Sequence, residues 1–299
     1  MRGMVQKMPR VLLVVNPQAS GVTDAAAETV AAALGPGVEV ARTERQGHAV
    51  ELVRDADAGA VVVFGGDGAF NEALNGLRPG LPLGLVPGGG SSVLPRALGL
   101  PGDVEGAARR IADAIRTGRT SEVSLGRVNG RRFGFAAALG FPAEVVRRVD
   151  ELGRGGGRRP PDRAFLTTAA RLLAERRGRL PPEVEVDGHG RASFVLVANG
   201  DPYTYLGRLP VRPTPLARWE EGLDLVGPRT VGPLSIPRLV AAAMTGRTPK
   251  ARGVLYLHDV DVIELRTDRA LPLQVDGEDL GDVDRAEFSS EPKAAKILR

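Results

Sequence analysis

The sequence contains no cysteine, a single tryptophan and only 4 % aromatic residues. Without cysteine the chain can form no disulfide, no thiol nucleophile and no cysteine-ligated zinc or iron–sulfur site. Proteins that read single-stranded nucleic acid by stacking need many exposed aromatic side chains. The composition therefore excludes thiol chemistry and argues against a nucleic-acid partner.

Lysine is also scarce, and none lies in the middle of the chain. The sequence has Lys7, Lys250, Lys293 and Lys296 only, so arginine supplies nearly all of the positive charge behind a net charge of +4. The P-loop motif for phosphate binding requires a lysine directly after its glycines. No glycine-rich loop between Lys7 and Lys250 can therefore be a P-loop.

Long apolar runs are missing as well. No stretch approaches the length of about 18 apolar residues that a membrane-spanning helix needs. The first ten residues, MRGMVQKMPR, lack the apolar segment of a secretory signal peptide. These absences predict a cytoplasmic protein.

Arginines are concentrated between residues 147 and 179, which include RRVDELGRGGGRRPPDR and RLLAERRGR. The Gly/Arg/Pro-rich stretch 153–161 indicates an exposed loop. A solvated loop explains this arginine cluster without any partner. Contact with an anionic membrane surface is the alternative, and it predicts peripheral membrane association.

Strand and helix patterns alternate over residues 1–122. The continuous apolar runs VLLVV (11–15) and AVVVF (60–64) are typical of buried parallel strands, and further strands are predicted at 38–43 and 81–86. Helical patterns follow these strands at 23–35, 48–56, 68–77, 93–98 and 104–117. This order predicts an α/β domain with a doubly wound parallel sheet.

The pattern changes after about residue 122. Asn129-Gly130 lies between two strand-like runs, and Gly188-His189-Gly190 repeats this hairpin signal. Short strands dominate the remaining sequence, with one helical insertion predicted near 161–177. We expect a second, antiparallel β-sandwich domain over 123–285 that carries the substrate, and a C-terminal segment, 286–299, that returns to the first domain.

Unusual loops follow three of the predicted parallel strands: NPQASG (16–21), GGDG (65–68) and PGGGSS (87–92). In open parallel sheets ligands bind beyond the carboxyl ends of the strands. Glycine lets backbone N–H groups approach a ligand closely, and helix N-termini favour anions. The three strand-end loops therefore predict a binding site for a polyphosphate, and the extra glycines are expected to make room for it.

With these motifs the chain resembles the diacylglycerol kinase catalytic family of lipid kinases, which includes soluble bacterial diacylglycerol kinases and sphingosine kinases. The family's NPxSG motif corresponds to Asn16–Gly21, its GGDGTxxE motif to Gly65–Glu72, and its C-terminal DGE to Asp276–Glu278. The resemblance also extends to NGDPYTYLGRLPVRPTP (199–215). It implies a Rossmann-like nucleotide domain followed by a β-sandwich, the use of ATP and Mg²⁺, and a lipid alcohol as substrate.

Position at the strand ends and the resemblance together predict the nucleotide-binding residues. A turn or capping role is the alternative for Asp67, and a plain surface role is the alternative for Arg96. The predicted set is Asn16, Pro17, Ser20, Gly21, Thr43, Gly65, Gly66, Asp67, Gly68, Glu72, Gly89, Gly90, Ser91 and Arg96.

The resemblance places the general base for the lipid hydroxyl in the acidic pair around Gly277, with Glu278 favoured over Asp276. A plain hairpin turn is the alternative for this pair. The resemblance also places a structural Mg²⁺ of related bacterial enzymes near Glu221 and Asp224, with Glu220 as a further candidate ligand, and a solvated acidic turn is the alternative there.

The chain departs from the family pattern in two of the loops. Ala69 replaces the threonine of GGDGT, Ser92 stands where asparagine is usual, and Pro95 replaces an alanine. Three hypotheses follow: a lipid kinase, a nucleotide-binding member of the same fold with weak or no kinase activity, and a kinase for a soluble alcohol. The acceptor lipid and the oligomeric state, including a homodimer, are left open by the sequence.

Overall fold

The computed structural model describes residues 9–90, 92–153, 162–207 and 209–299. The chain forms two compact units. The first consists of the chain up to Val123 together with Ala294–Arg299, and the second of Ser124–Lys293. The boundaries expected from the sequence, after residues 122 and 285, refer to independently folding domains and stay a prediction.

Strands and helices alternate in the first unit. They are β1 Val11–Val15, α1 Asp24–Leu34, β2 Val38–Arg42, α2 His48–Arg54, β3 Ala60–Gly65, α3 Asp67–Gly76, β4 Pro82–Pro87, α4 Val93–Ala97 and α5 Val104–Thr117. Parallel pairing gives the strand order β4-β3-β1-β2. The C-terminal residues Lys296 and Ile297 pair in parallel beside β4.

Local signals in the sequence explain where these helices begin and end. The Thr23 hydroxyl accepts a hydrogen bond from Ala26 N at the start of α1, and the Asp103 carboxylate accepts one from Gly106 N at the start of α5. All residues of β1 and β3 are buried, as their continuous apolar sequence predicts. The parallel α/β part of the predicted fold is therefore confirmed.

The second unit is rich in short strands. Its elements are β5 Thr120–Val128, which begins in the first unit, β6 Arg131–Phe133, β7 Ala136–Leu139, α6 Phe141–Gly153, α7 Asp162–Glu175, β8 Val184–Val186, β9 Gly190–Ala192, β10 Val195–Ala198, β11 Thr204–Leu206, β12 Leu209–Val211, β13 Leu223–Pro228, α8 Ile236–Thr245, β14 Val254–Val260, β15 Val262–Val275 and β16 Glu278–Leu298, which ends in the first unit. A 3₁₀ turn spans Thr248–Lys250. The pairs β7/β10, β10/β13, β13/β14 and β15/β16 are all antiparallel, which confirms the predicted change of sheet type.

Two-residue turns close the hairpins β5/β6 and β15/β16. Asn129 and Gly130 have φ of 46° and 86°, and Asp276 and Gly277 have φ of 49° and 82°. Two successive positive φ angles are required by the type I′ turn, which matches the twist of antiparallel strands. The hairpins pack their inner faces into an apolar core in which Phe133 and Phe288 meet edge to face at 6.2 Å.

Helices account for the main differences from the expected second domain. The predicted insertion near 161–177 corresponds to α7, whereas α6 and α8 were not predicted. The expected loop 153–161 lies almost entirely outside the described residues. Among the helices that the structure describes, none is long and apolar enough to cross a bilayer.

Candidate functional site

Backbone hydrogen bonds join the three strand-end loops of the first unit to one another. Gly21 N donates to Gly88 O at 2.8 Å, and Gly88 N donates to Gly65 O at 2.7 Å. Asn16 N donates to Phe64 O at 2.9 Å, at the end of the neighbouring strand. The loops after β1, β3 and β4 therefore form one connected surface, as their positions in the parallel sheet predict.

Most of the loop glycines are needed for close packing between the loops. A Cβ on Gly89 would lie 2.9 Å from Gly66 Cα, and one on Gly65 would lie 2.9 Å from the Cβ of Ala69. Gly68 and Gly90 differ, because a Cβ on either would meet no heavy atom within 4 Å and both residues are exposed. Room for a ligand is thus found at these two glycines, rather than at every glycine in the motifs.

The carboxylate of Asp67 caps the short helix α4. It is buried, and its two oxygens accept hydrogen bonds from Val93 N at 3.1 Å and Leu94 N at 3.2 Å. These N–H groups belong to the first turn of α4, where no helical carbonyl can accept them. Asp67 thereby fixes the loop after β4 against the loop after β3. It acts as the cap of a helix that is distant in sequence.

Glu72 makes a second contact of the same kind. Its Oε1 accepts from Gly47 N at 2.8 Å and its Oε2 accepts from Ala49 N at 3.1 Å. Both N–H groups lie at the start of α2, where Gly47 offers no side chain to cap the helix. Both acids of the GGDG…E motif therefore hold helix N-termini, and the predicted nucleotide contacts of Asp67 and Glu72 stay predictions.

The remaining predicted nucleotide residues lie around the same loops. Asn16 Oδ1 accepts from Gln18 N at 3.0 Å, and the Thr43 hydroxyl lies 3.4 Å from the same oxygen. Pro17 and Ser20 are exposed, and Arg96 is half-buried in the last turn of α4. Ser91 lies outside the described residues. The next residue, Ser92, is buried in a left-handed conformation, with its hydroxyl donating to Gly89 O at 3.1 Å.

In the second unit, Asp276 is almost fully buried at 3 % exposure. Its Oδ2 accepts from Gly134 N at 2.7 Å, and its Oδ1 accepts from Phe135 N and Ala136 N at 3.0 and 3.1 Å. Both oxygens thus bind the backbone segment that leads into β7. This arrangement favours a positioning role for Asp276.

Glu278, the favoured base, begins β16 and is half-buried. Its Oε2 accepts a hydrogen bond from Arg131 Nη2 at 2.9 Å, in an ion pair across the β5/β6 and β15/β16 hairpins. The turn before it is held by Gln274, whose Oε1 accepts from Gly277 N at 2.8 Å. Sequence reasoning missed Arg131, because only the folded hairpins bring it beside Glu278.

Asp224 forms the centre of a polar cluster on β13 and β14. Its Oδ2 accepts from the Tyr256 hydroxyl at 2.6 Å, and its Oδ1 lies 2.8 Å from His258 Nδ1. The hydrogen bond to Asp224 raises the pKa of His258 above its ordinary value. Glu221 is more distant, with Oε2 at 3.9 Å from His258 Nε2. Tyr256 and His258 share one face of β14 by period-two spacing, but the sequence does not reveal that β14 pairs with β13.

This cluster does not fit a structural Mg²⁺ site. Magnesium prefers octahedral oxygen ligands with carboxylates free to coordinate it, whereas Asp224 uses both oxygens for a tyrosine and a histidine. Among the described residues, no group of three or more His, Cys, Asp or Glu side chains could hold a metal ion. The metal role of Glu221 and Asp224 gains no support from this arrangement.

An Asp224→Ala substitution should therefore destabilise the protein without any metal being involved. The partly exposed Tyr256 hydroxyl and His258 ring would lose a charged acceptor, at a cost of roughly 1–3 kcal/mol of unfolding free energy. Denaturant unfolding measures this loss, with Glu220→Ala as a control in the same acidic turn. The Tm of the wild type should be unchanged by EDTA, and a Tm that falls with EDTA and recovers with Mg²⁺ would restore the metal interpretation.

Known proteins are similar in sequence to the first unit of this chain. Residues 10–128 match the family model for the diacylglycerol kinase catalytic domain. A diacylglycerol kinase of Staphylococcus haemolyticus is 39 % identical over 111 residues, 34 % of this chain and 32 % of the relative. A diacylglycerol kinase of Staphylococcus aureus is 34 % identical over 121 residues, 36 % of this chain and 37 % of the relative. The match thus spans about a third of the length of these curated relatives.

Solved structures resemble the chain over almost its whole length. A diacylglycerol kinase structure from Bacillus anthracis has a TM-score of 0.69 at 20 % identity, covering 97 % of this chain and 96 % of that one. An NAD kinase from Archaeoglobus fulgidus, solved in complex with ATP, has a TM-score of 0.54 at 14 % identity and covers 97 % of this chain and 93 % of its own. These likenesses concern the fold. The resemblance that the motifs predicted is confirmed, because residues 10–128 match the model of the diacylglycerol kinase catalytic domain.

Proposed function

We propose that this protein is an ATP-dependent lipid kinase, which transfers the γ-phosphoryl group of ATP to the hydroxyl of diacylglycerol or a related lipid alcohol. The observation that carries the proposal is the connected surface of three strand-end loops with exposed glycines at 68 and 90. The match of residues 10–128 to the model of the diacylglycerol kinase catalytic domain supports the same conclusion.

Phosphate binding would rest on backbone groups rather than on a lysine. Gly68 belongs to the first turn of α3, where backbone N–H groups lack helical acceptors and the helix dipole is positive, so a phosphate would be favoured there. Gly90 adds a second stretch of backbone without a side chain. Asp67 and Glu72 would act indirectly, because they hold α4 and α2 in the positions that shape the loops.

Phosphoryl transfer to an alcohol needs a positioned hydroxyl and a group that takes its proton. Of the two predicted acids, Glu278 is the better candidate for this base, since Asp276 is buried with both oxygens bound to backbone N–H groups. Asp276 would keep the β15/β16 turn in place and so orient Glu278. ATP supplies the phosphoryl group, and the use of Mg²⁺ stays a prediction from the resemblance.

A nucleotide-binding protein with weak or no kinase activity is the second candidate. Three of the predicted acids, Asp67, Glu72 and Asp276, are engaged by backbone N–H groups, and Glu278 is paired with Arg131. This engagement, together with Ser92 in place of the usual asparagine, favours binding without transfer. Cytoplasmic location and peripheral membrane contact accompany the first candidate and are predictions as well.

Labelled ATP with a panel of acceptors separates the candidates. The panel holds diacylglycerol and a long-chain amino alcohol in detergent micelles, and NAD in solution. A lipid kinase labels one of the lipids in an amount that depends on enzyme concentration. Label on NAD alone would indicate a soluble-alcohol kinase, and ATP binding without any labelled acceptor would favour the binding-only protein.

A further inference from the structure

Helix α8 presents an apolar face to solvent. Ala242 is buried, and Ala243 O accepts a hydrogen bond from Arg212 N at 2.9 Å, so this side of the helix attaches to the second unit. Pro237, Val240 and Ala241 are exposed. Their spacing of three and four residues forms an apolar stripe along one side of a helix. In α8 that stripe points outward, where a water-soluble helix normally carries polar residues.

Leu234, directly before α8, extends this apolar face. Its side chain is 97 % exposed, more than any other large apolar residue of the described chain. Isolated exposed apolar residues are common and need no explanation. Here, however, Leu234 lies two residues before the helix that carries the exposed Pro237, Val240 and Ala241, and we call these four residues the α8 apolar face.

The segment around α8 carries positive charge only. From Leu225 to His258 the sequence has five arginines and lysines and not one aspartate or glutamate. Four of these cations, Arg238, Arg247, Lys250 and Arg252, are exposed and form no ion pair with any described residue. The apolar face is therefore accompanied by cations that have no acidic partner in the part of the chain that the structure describes.

The arginine cluster at 147–179 differs in this respect. Arg147 pairs with Asp279 and Asp282, and Arg176 pairs with Glu144. Arg148 and Arg171 each pair with a glutamate on their own helix. Four of the seven described arginines in this cluster are thus paired within the protein, whereas Arg163, Arg177 and Arg179 are exposed and form no ion pair with a described residue. The sequence pointed to residues 147–179 as the membrane contact, whereas around α8 all four exposed cations lack an ion pair with a described residue and lie beside an exposed apolar face.

Two occupants could cover an apolar face of this kind, a bilayer or a second copy of the chain. In a symmetric dimer the same patch lies on both subunits, so two positively charged patches would meet, and like charges across an interface are unfavourable. An anionic bilayer surface attracts the same cations and accepts the apolar side chains below its headgroups. The positive charge around α8 therefore favours an anionic bilayer over a second copy of the chain as the occupant of this face.

We propose that α8 and Leu234 form the membrane-docking surface of this protein, with the α8 apolar face inserted into the interface of an anionic bilayer and Arg238, Arg247, Lys250 and Arg252 at its headgroups. The inference deepens the proposed function, because a lipid acceptor lies in a membrane. Vesicle binding is measured without turnover, so a failure of docking is distinguishable from a failure of kinase activity.

The test compares two variants with the same change in net charge. One replaces Arg238, Arg247, Lys250 and Arg252 by glutamine, and the matched control replaces Arg148, Arg163, Arg171 and Arg179, which are exposed residues of the 147–179 cluster. Each cation near an anionic surface contributes about 1 kcal/mol. The first variant should bind phosphatidylglycerol-containing vesicles at least ~100-fold more weakly than the wild type. The affinity of the control variant should stay within about threefold of the wild-type affinity.

Leu234→Gln tests the apolar contribution, and we expect vesicle binding about tenfold weaker with its salt dependence unchanged. Sedimentation velocity without lipid is measured in parallel, and a monomer is expected. The proposal is overturned if the control variant loses binding while the α8 variant keeps it, or if the wild type binds no anionic vesicle. A dimer that Leu234→Gln dissociates, without vesicle binding, would assign the face to a second copy.

Discussion

A Glu278→Gln variant should lose about 10²–10⁴-fold in kcat, because a general base typically accelerates proton transfer by this factor. Glutamine keeps the size of the side chain and an oxygen for Arg131, whose Nη2 lies 2.9 Å from Glu278 Oε2. The fold and the affinity for ATP should therefore be nearly unchanged. Steady-state transfer of label to the lipid acceptor measures kcat, and the ATP-induced rise in Tm measures nucleotide binding.

Two further variants place the proton acceptor. Arg131→Gln removes the partner of Glu278 but leaves its carboxylate, so transfer should continue. Asp276→Asn replaces one acceptor of backbone N–H groups by a donor, and it should lower the Tm as well as the activity. A stable, inactive Asp276→Asn beside an active Glu278→Gln would move the base to Asp276. Wild-type rates in both Glu278→Gln and Asp276→Asn would show that neither acid is the general base.

An Asp67→Ala variant should lose both stability and the response to ATP. The buried N–H groups of Val93 and Leu94 would lack their acceptor, at a cost of roughly 1–3 kcal/mol of unfolding free energy. The loop after β4 would also lose its fixed position against the loop after β3. Denaturant unfolding measures the first effect, and the ATP-induced shift in Tm measures the second.

Asp103→Ala is the matched control for this effect. Asp103 also caps a helix of the first unit, with Oδ1 accepting from Gly106 N at 2.6 Å at the start of α5. Its loss should cost about 1 kcal/mol and leave the ATP-induced shift intact. If Asp67→Ala keeps the full shift as Asp103→Ala does, the capping of α4 has no bearing on nucleotide binding.

The alternation of strands and helices in the first unit could be predicted because its signals are local. The apolar run 11–15 is β1 in the structure, and Thr23 caps α1 as a threonine before a helical pattern should. Helix α8 also carries local signals, a proline in its first turn and Gly246 after its end. It was missed because its exposed side is apolar, which resembles neither a strand nor an ordinary surface helix.

The roles of the acids in the site could not be predicted in the same way. Asp67 bonds to residues 26 and 27 positions further along the chain, and Glu72 to residues 25 and 23 positions before it. Asp276 bonds to residues more than 130 positions earlier. Such contacts depend on how loops and hairpins meet in the folded chain. The motif indicated which acids matter, but only the contacts indicate that they shape the loops.

A Gly68→Ala variant tests most directly whether exposed backbone at the strand-end loops binds the nucleotide. A Cβ at position 68 meets no heavy atom within 4 Å, and alanine is favoured over glycine within a helix by about 1 kcal/mol. Without ATP the Tm of Gly68→Ala should therefore equal or exceed that of the wild type. The same should hold for the control Gly102→Ala, because a Cβ at position 102 also meets no heavy atom within 4 Å.

The decisive measurement is the rise in Tm with ATP for these two variants and the wild type. A ligand at 100 times its Kd stabilises the native state by about 2.7 kcal/mol. We expect the wild type and Gly102→Ala to show the same rise, and Gly68→Ala, whose methyl group would stand where the phosphates approach α3, to show almost none. A full rise in Gly68→Ala would contradict the proposed nucleotide site.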